Sequence, residues 1–105
     1  MEDYEKLNNL IELLNTALGE YKKRGTEYAN AYKNYRIALA KELLRLKDLG
    51  TPVTAAHDIA RGKEDIAEYK RQEIIAETLY KSCQEAINSY KLQIKILQEN
   101  INKDY

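Results

Sequence analysis

Apolar side chains recur along this chain at alternating steps of three and four residues, with few gaps. One ladder runs Tyr4, Leu7, Ile11, Leu14, Leu18, Tyr21, Gly25, Tyr28, Tyr32, Tyr35, Leu39, Glu42, Leu46, Leu49. A second restarts as Ile66, Tyr69, Glu73, Ala76, Tyr80, Cys83, Ile87, Tyr90, Ile94, Leu97, Ile101, Asp104. Steps of three and four keep a row on one side of an α-helix, at the coiled-coil period, whereas a half-buried strand needs alternation at every second residue. Eight of the nine tyrosines fall on these ladders, and the chain has no Phe or Trp. The aromatic part of the expected seam, Tyr21, Tyr28, Tyr32, Tyr35, Tyr69, Tyr80 and Tyr90, therefore brings hydroxyls that need partners wherever they are buried.

The first ladder predicts a helix over about residues 2–49, ~70 Å long at the standard rise. Gly19 and Gly25 each weaken a helix interior by about 1 kcal/mol relative to Ala. The ladder passes through both without a phase slip, so the helix is expected to continue. Leu49-Gly50-Thr51-Pro52 then combines a terminating glycine, a capping threonine and a proline suited to a first helical turn. A connector over 50–62 holds a short helix from Pro52 to Arg61, ended by Gly62. The last helix, about 63–102, opens with Glu64 and Asp65, which favour the positive end of the helix dipole. The expected fold is all-α and a single domain: an antiparallel two-long-helix coiled-coil hairpin with a short connector helix. A chain of 105 residues has a small core. Apolar residues also lie off the ladders, at Leu10, Ala17, Ala31, Ala38, Ile75, Leu79 and Ala86, so a homo-oligomer, a dimer or larger helical bundle, is expected to cover them.

No apolar run approaches the ~20 residues of a membrane span, and the acidic start Met1-Glu2-Asp3 lacks the basic and apolar segments of a secretory signal. A lone cysteine, Cys83, forms no internal disulfide. A cytoplasmic chain without a membrane partner is the expectation.

Formal net charge is zero, which removes a bulk electrostatic case for nucleic acid. Charge is nevertheless segregated. Residues 2–20 carry five acids and one lysine, residues 22–47 carry eight bases and two acids, and residues 48–105 carry eight bases and ten acids. Lys22, Lys23, Arg24, Lys33, Arg36, Lys41 and Arg45 are the candidate residues for a protein or anionic partner, although they scatter over the outer helix positions. His57, Asp58 and Arg61 are the candidate contacts of the connector.

Catalytic, cofactor and metal sites are not expected. His57 has no further nitrogen or sulfur ligand at metal spacing. Cys83 sits at a ladder position, where it acts as a small apolar residue, with no histidine nearby in sequence to activate it. A helix-turn-helix reader would need a small residue and an apolar residue where the connector has Asp58 and Glu68.

Three segments carry a resemblance: Tyr32-Lys33-Asn34-Tyr35-Arg36, the connector from Gly50-Thr51-Pro52-Val53 to Ala60-Arg61-Gly62, and Tyr80-Lys81 through Ile94-Lys95-Ile96-Leu97. Over residues 28–101 the chain resembles small helical proteins from early or middle gene blocks of tailed phages of Gram-positive bacteria. That resemblance implies a protein made inside an infected bacterium and brings no functional residues with it. The leading expectation is a non-enzymatic protein that binds a host or phage protein, with inhibition of a bacterial defence system as the suggested role. The alternative is a nucleic-acid or nucleotide-binding accessory using the basic residues and seam tyrosines. A structural or assembly spacer is the third.

Overall fold

The computed structural model describes residues 2–103, which form three α-helices and no strand: α1 (Glu2–Asp48), α2 (Val53–Gly62) and α3 (Glu64–Lys103). The fold is the all-α helical hairpin that the two ladders predict. Asp104, the last position of the second ladder, lies outside the described residues. Charge placement suits the long helices, with Glu2, Asp3 and Glu5 in the first turn of α1, Arg45 and Lys47 in its last, and Glu64 and Asp65 opening α3.

α1 ends in a Schellman turn. Gly50 N–H donates to the Lys47 carbonyl at 2.9 Å and Thr51 N–H to the Leu46 carbonyl at 3.0 Å. Gly50 has φ of +81°, which a residue with a Cβ adopts only at a cost. The start of α2 differs from expectation. Pro52 itself occupies the cap, its carbonyl accepting from Ala55 and Ala56 N–H, and no side chain caps the helix. Lys63 serves both neighbouring helices, donating its N–H to the Ala60 carbonyl and accepting from Ala67 N–H.

The chain forms two compact units. Met1–Gly25 and Leu79–Tyr105 make the first, and Thr26–Thr78 makes the second. In the first, Ala17, Ile87 and Ile101 are buried, and Leu7, Leu10, Leu14, Tyr90, Ile94 and Leu97 are half-buried. Tyr21 and Tyr80 stack with centroids 4.8 Å apart, and their hydroxyls share a 2.7 Å hydrogen bond. That bond holds the Tyr21 phenol above its ordinary value of 10.0. A Cβ at Gly25 would lie 3.1 Å from Cε1 of the Tyr80 ring, so this glycine admits the ring against α1. The Cys83 thiol donates to the Ala17 carbonyl at 3.3 Å, a contact with backbone that the small Ala17 side chain leaves open.

In the second unit the core is Tyr35, Leu39 and Leu46 of α1, Ala56 and Ala60 of α2, and Ile66 of α3. Ala60 is fully buried, and the two alanines let α2 settle on the long helices. Tyr28 donates its hydroxyl to Glu77 at 3.1 Å. Lys70 lies 4.8 Å above the Tyr35 ring and bonds the buried Glu73 at 3.2 Å.

The seam on α3 follows its ladder, with Tyr69, 37% exposed, the departure. On α1 the row Leu7, Leu14, Tyr21, Tyr28, Tyr35 and Glu42 faces inward, but its companion row is corrected. Leu10, Ala17, Ala31 and Ala38, three or four residues from that row on its other side, are buried or half-buried. Tyr4, Ile11, Leu18 and Tyr32 are exposed, Tyr32 at 48%. An apolar row has two neighbours at steps of three and four, and the alanine side permits closer helix packing. Leu39 and Leu46 are buried on the ladder's own side, where α2 contributes Ala56 and Ala60.

Replacing Gly19 by Ala raises stability by about 1 kcal/mol, the helix-interior difference between the two residues, because nothing lies within 4 Å of the added methyl. Gly25→Ala gains the same backbone preference but presses on Tyr80, which the stack and hydroxyl bond hold in place. Its melting temperature is therefore expected to fall below that of Gly19→Ala in parallel thermal melts.

Candidate interaction surface of the second unit

Glu42 faces inward from α1 and is only 6% exposed. A carboxylate so placed needs charged hydrogen-bond donors to offset lost hydration. Arg45, one turn on, donates Nη2–H at 2.6 Å to Oε1 and Nε–H at 3.2 Å to both oxygens. Lys63 Nζ donates to Oε2 at 3.0 Å. Lys63 is extended, at φ −67° and ψ 135°, between α2 and α3. Its bond therefore ties the connector to α1 across 21 residues of sequence. Hydrogen bonds from Arg45 first and Lys63 second hold the Glu42 carboxyl down to about 2, against burial that pushes it upward. The same contact raises the Arg45 guanidinium further.

Beside this clasp, α1 and α3 border an open cleft of about 500 Å³. Ile37, Ala38, Ile66 and Tyr69 give it apolar walls, and Lys41 and Asp65 put opposite charges on its rim. Ile37 and Tyr69 are exposed there. In the same unit Leu49, Val53 and Ile59 stand out into solvent, Val53 at 73%. The connector candidates His57, Asp58 and Arg61 are all exposed on α2. Apolar side chains thus alternate with ionisable ones along the connector, a mixture suited to contact with another macromolecule.

The basic candidates do not gather into one site. Lys22, Lys23 and Arg24 belong to the first unit, and Lys33, Arg36, Lys41 and Arg45 to the second. Arg24 pairs with Glu20 at 3.6 Å, and Arg45 is engaged by Glu42. Lys23, Lys33 and Arg36 are exposed, and Lys41 alone of the group lines the cleft together with Arg45. Among the seam tyrosines, Tyr21 and Tyr80 stack on each other, Tyr35 is buried, and Tyr28 and Tyr90 are half-buried. Tyr69 presents its ring to the cleft, and Tyr32 is exposed. Among the described residues no three His, Cys, Asp or Glu side chains converge as metal ligands, and no helix is long and apolar enough to cross a membrane.

The spacing of the sequence places Arg45 among partner-binding cations and Glu42 on the first ladder. What it misses is that the two belong to one clasp with Lys63. Arg45 three residues after a carboxylate at an inward position was the available signal; Lys63 had none, since only folding brings it to α1. Set against protein-family models, curated proteins and solved structures, the chain matches none.

The clasp gives stability a defined acid limb. With its carboxyl at about 2 in the folded chain against an ordinary 4.5, the folded state holds fewer protons than the unfolded state between these values. Its contribution is complete above about pH 4.5 and is lost as pH falls through about 2. Urea midpoints measured across this range are expected to drop steadily for the natural chain. Glu42→Gln is expected to be less stable at neutral pH, with a shallower drop in the same window.

Proposed function

We propose that this chain is a non-enzymatic helical hairpin that works by binding another protein through the connector and cleft of its second unit. The observation that carries this reading is the exposure of Leu49, Val53 and Ile59 in and next to the short segment that carries the exposed His57, Asp58 and Arg61, with Ile37 and Tyr69 open in the cleft. Large apolar side chains grouped with charges are what a protein interface uses, with the apolar groups supplying area and the charges supplying selectivity. Rigid support for such a surface comes from the Glu42 clasp, which holds the connector to α1.

The resemblance to small phage helical proteins supports a setting in the cytoplasm of an infected bacterium, where the partner is a host or phage protein. Within that setting the reading names inhibition of a bacterial defence system, by occupation of a surface that the target needs.

Affinity capture from infected-cell lysate, with the partner identified by mass spectrometry, tests the reading. A double variant Val53→Lys with Ile59→Lys, and separately Lys41→Glu, should lower capture of that partner roughly tenfold or more, the effect of about 1.4 kcal/mol, while leaving helicity unchanged by circular dichroism. Failure to capture any partner, or equal capture by these variants and the natural chain, would refute it.

A further inference from the structure

The first unit carries its own uncovered surface. Tyr4, Ile11 and Leu18 lie at steps of seven on α1, beside the row Leu7, Leu14 and Tyr21 that faces inward. All three are exposed, at 38% to 44%. Two adjacent apolar rows give α1 a wider stripe than one neighbouring helix can cover, which is the pattern of a helix that touches two neighbours in a four-helix bundle.

Charge points to what covers the second row. Over residues 2–20, α1 holds five acids and one lysine, whereas α3 over 79–103 holds four lysines and two glutamates. Laying α1 on a second α1 sets acids against acids. Laying it beside an α3 sets unlike charges together.

We infer that the row Tyr4, Ile11, Leu18 is covered by a second copy of this chain, first unit against first unit, with α1 of each copy antiparallel to α3 of the other. The result is a two-fold symmetric four-helix bundle. This inference stands apart from the partner surface of the second unit, and its test involves no partner.

Light scattering on the purified full chain at about 10 µM, a concentration at which a submicromolar dimer is assembled, should give about 24 kDa, twice the 12.2 kDa of one chain. Ile11→Glu with Leu18→Glu should return the mass to that of one chain with helicity retained. Leu44→Glu, at an exposed α1 position of the second unit, should leave the dimer intact. Should the double glutamate variant lose its helicity, Ile11→Ser with Leu18→Ser takes its place and carries the same expectation. A single-chain mass or a mass above the dimer for the natural protein would overturn the inference. So would a dimer that survives the row variants, or one that Leu44→Glu alone disrupts.

Discussion

Facing apolar rows, one on each long helix, are the constraint on which everything else in this structure rests. Leu7, Leu14, Tyr21, Tyr28, Tyr35 and Glu42 line the inner side of α1, and Ile66, Glu73, Tyr80, Ile87, Ile94 and Ile101 line that of α3. Neither row is wide; tyrosine supplies most of the bulk on α1, and isoleucine with Tyr80 supplies it on α3. A tyrosine core works only if the hydroxyls are satisfied, and each unit solves this locally. Tyr21 and Tyr80 bond each other, and Tyr28 reaches Glu77. Close approach matters as much as bulk, because Gly25 and Ala17 are the places where a ring and a thiol come against α1.

The second unit adds buried carboxylates to this plan. Glu42 and Glu73 occupy inward positions where Leu or Ile would be simpler, and each meets cations at its edge: Arg45 and Lys63 for the first, Lys70 for the second. Such pairs add little net stability over apolar residues, but breaking one strands a charge. Their value lies in position, since a carboxylate accepts donors from fixed directions whereas an apolar contact tolerates sliding. The Glu42 clasp thereby sets where the connector begins α3, and with it how Leu49, Val53 and Ile59 are displayed.

Much of the fold was legible from spacing. Periodicity gave the two long helices, the glycine and proline signals gave the connector helix and the ends to within a residue or two, and continuity through Gly19 and Gly25 followed from unbroken phase. The α3 seam was readable because its ladder contains few competing apolar neighbours. On α1 the inner row has apolar residues on both flanks, Ile11 and Leu18 on one and Leu10 and Ala17 on the other, and spacing alone cannot choose between them. Bulk favoured the larger side chains, whereas close helix packing took the alanines. Arg45 looked like a surface cation because it sits among the outer-position bases of residues 22–47, and nothing in the spacing ties it to Glu42 and Lys63 in one clasp.

The sequence by itself determined the helical class, the place of the turn at Gly50, and the return of the second long helix, because these depend on local backbone preference and on intervals of three and four. Only the tertiary structure decided which flank of α1 is covered, why Gly25 is a glycine, and that Lys63 closes on Glu42. Those depend on distances between segments far apart in the chain, and a repeat along one helix carries no information about what its neighbour will bring to meet it.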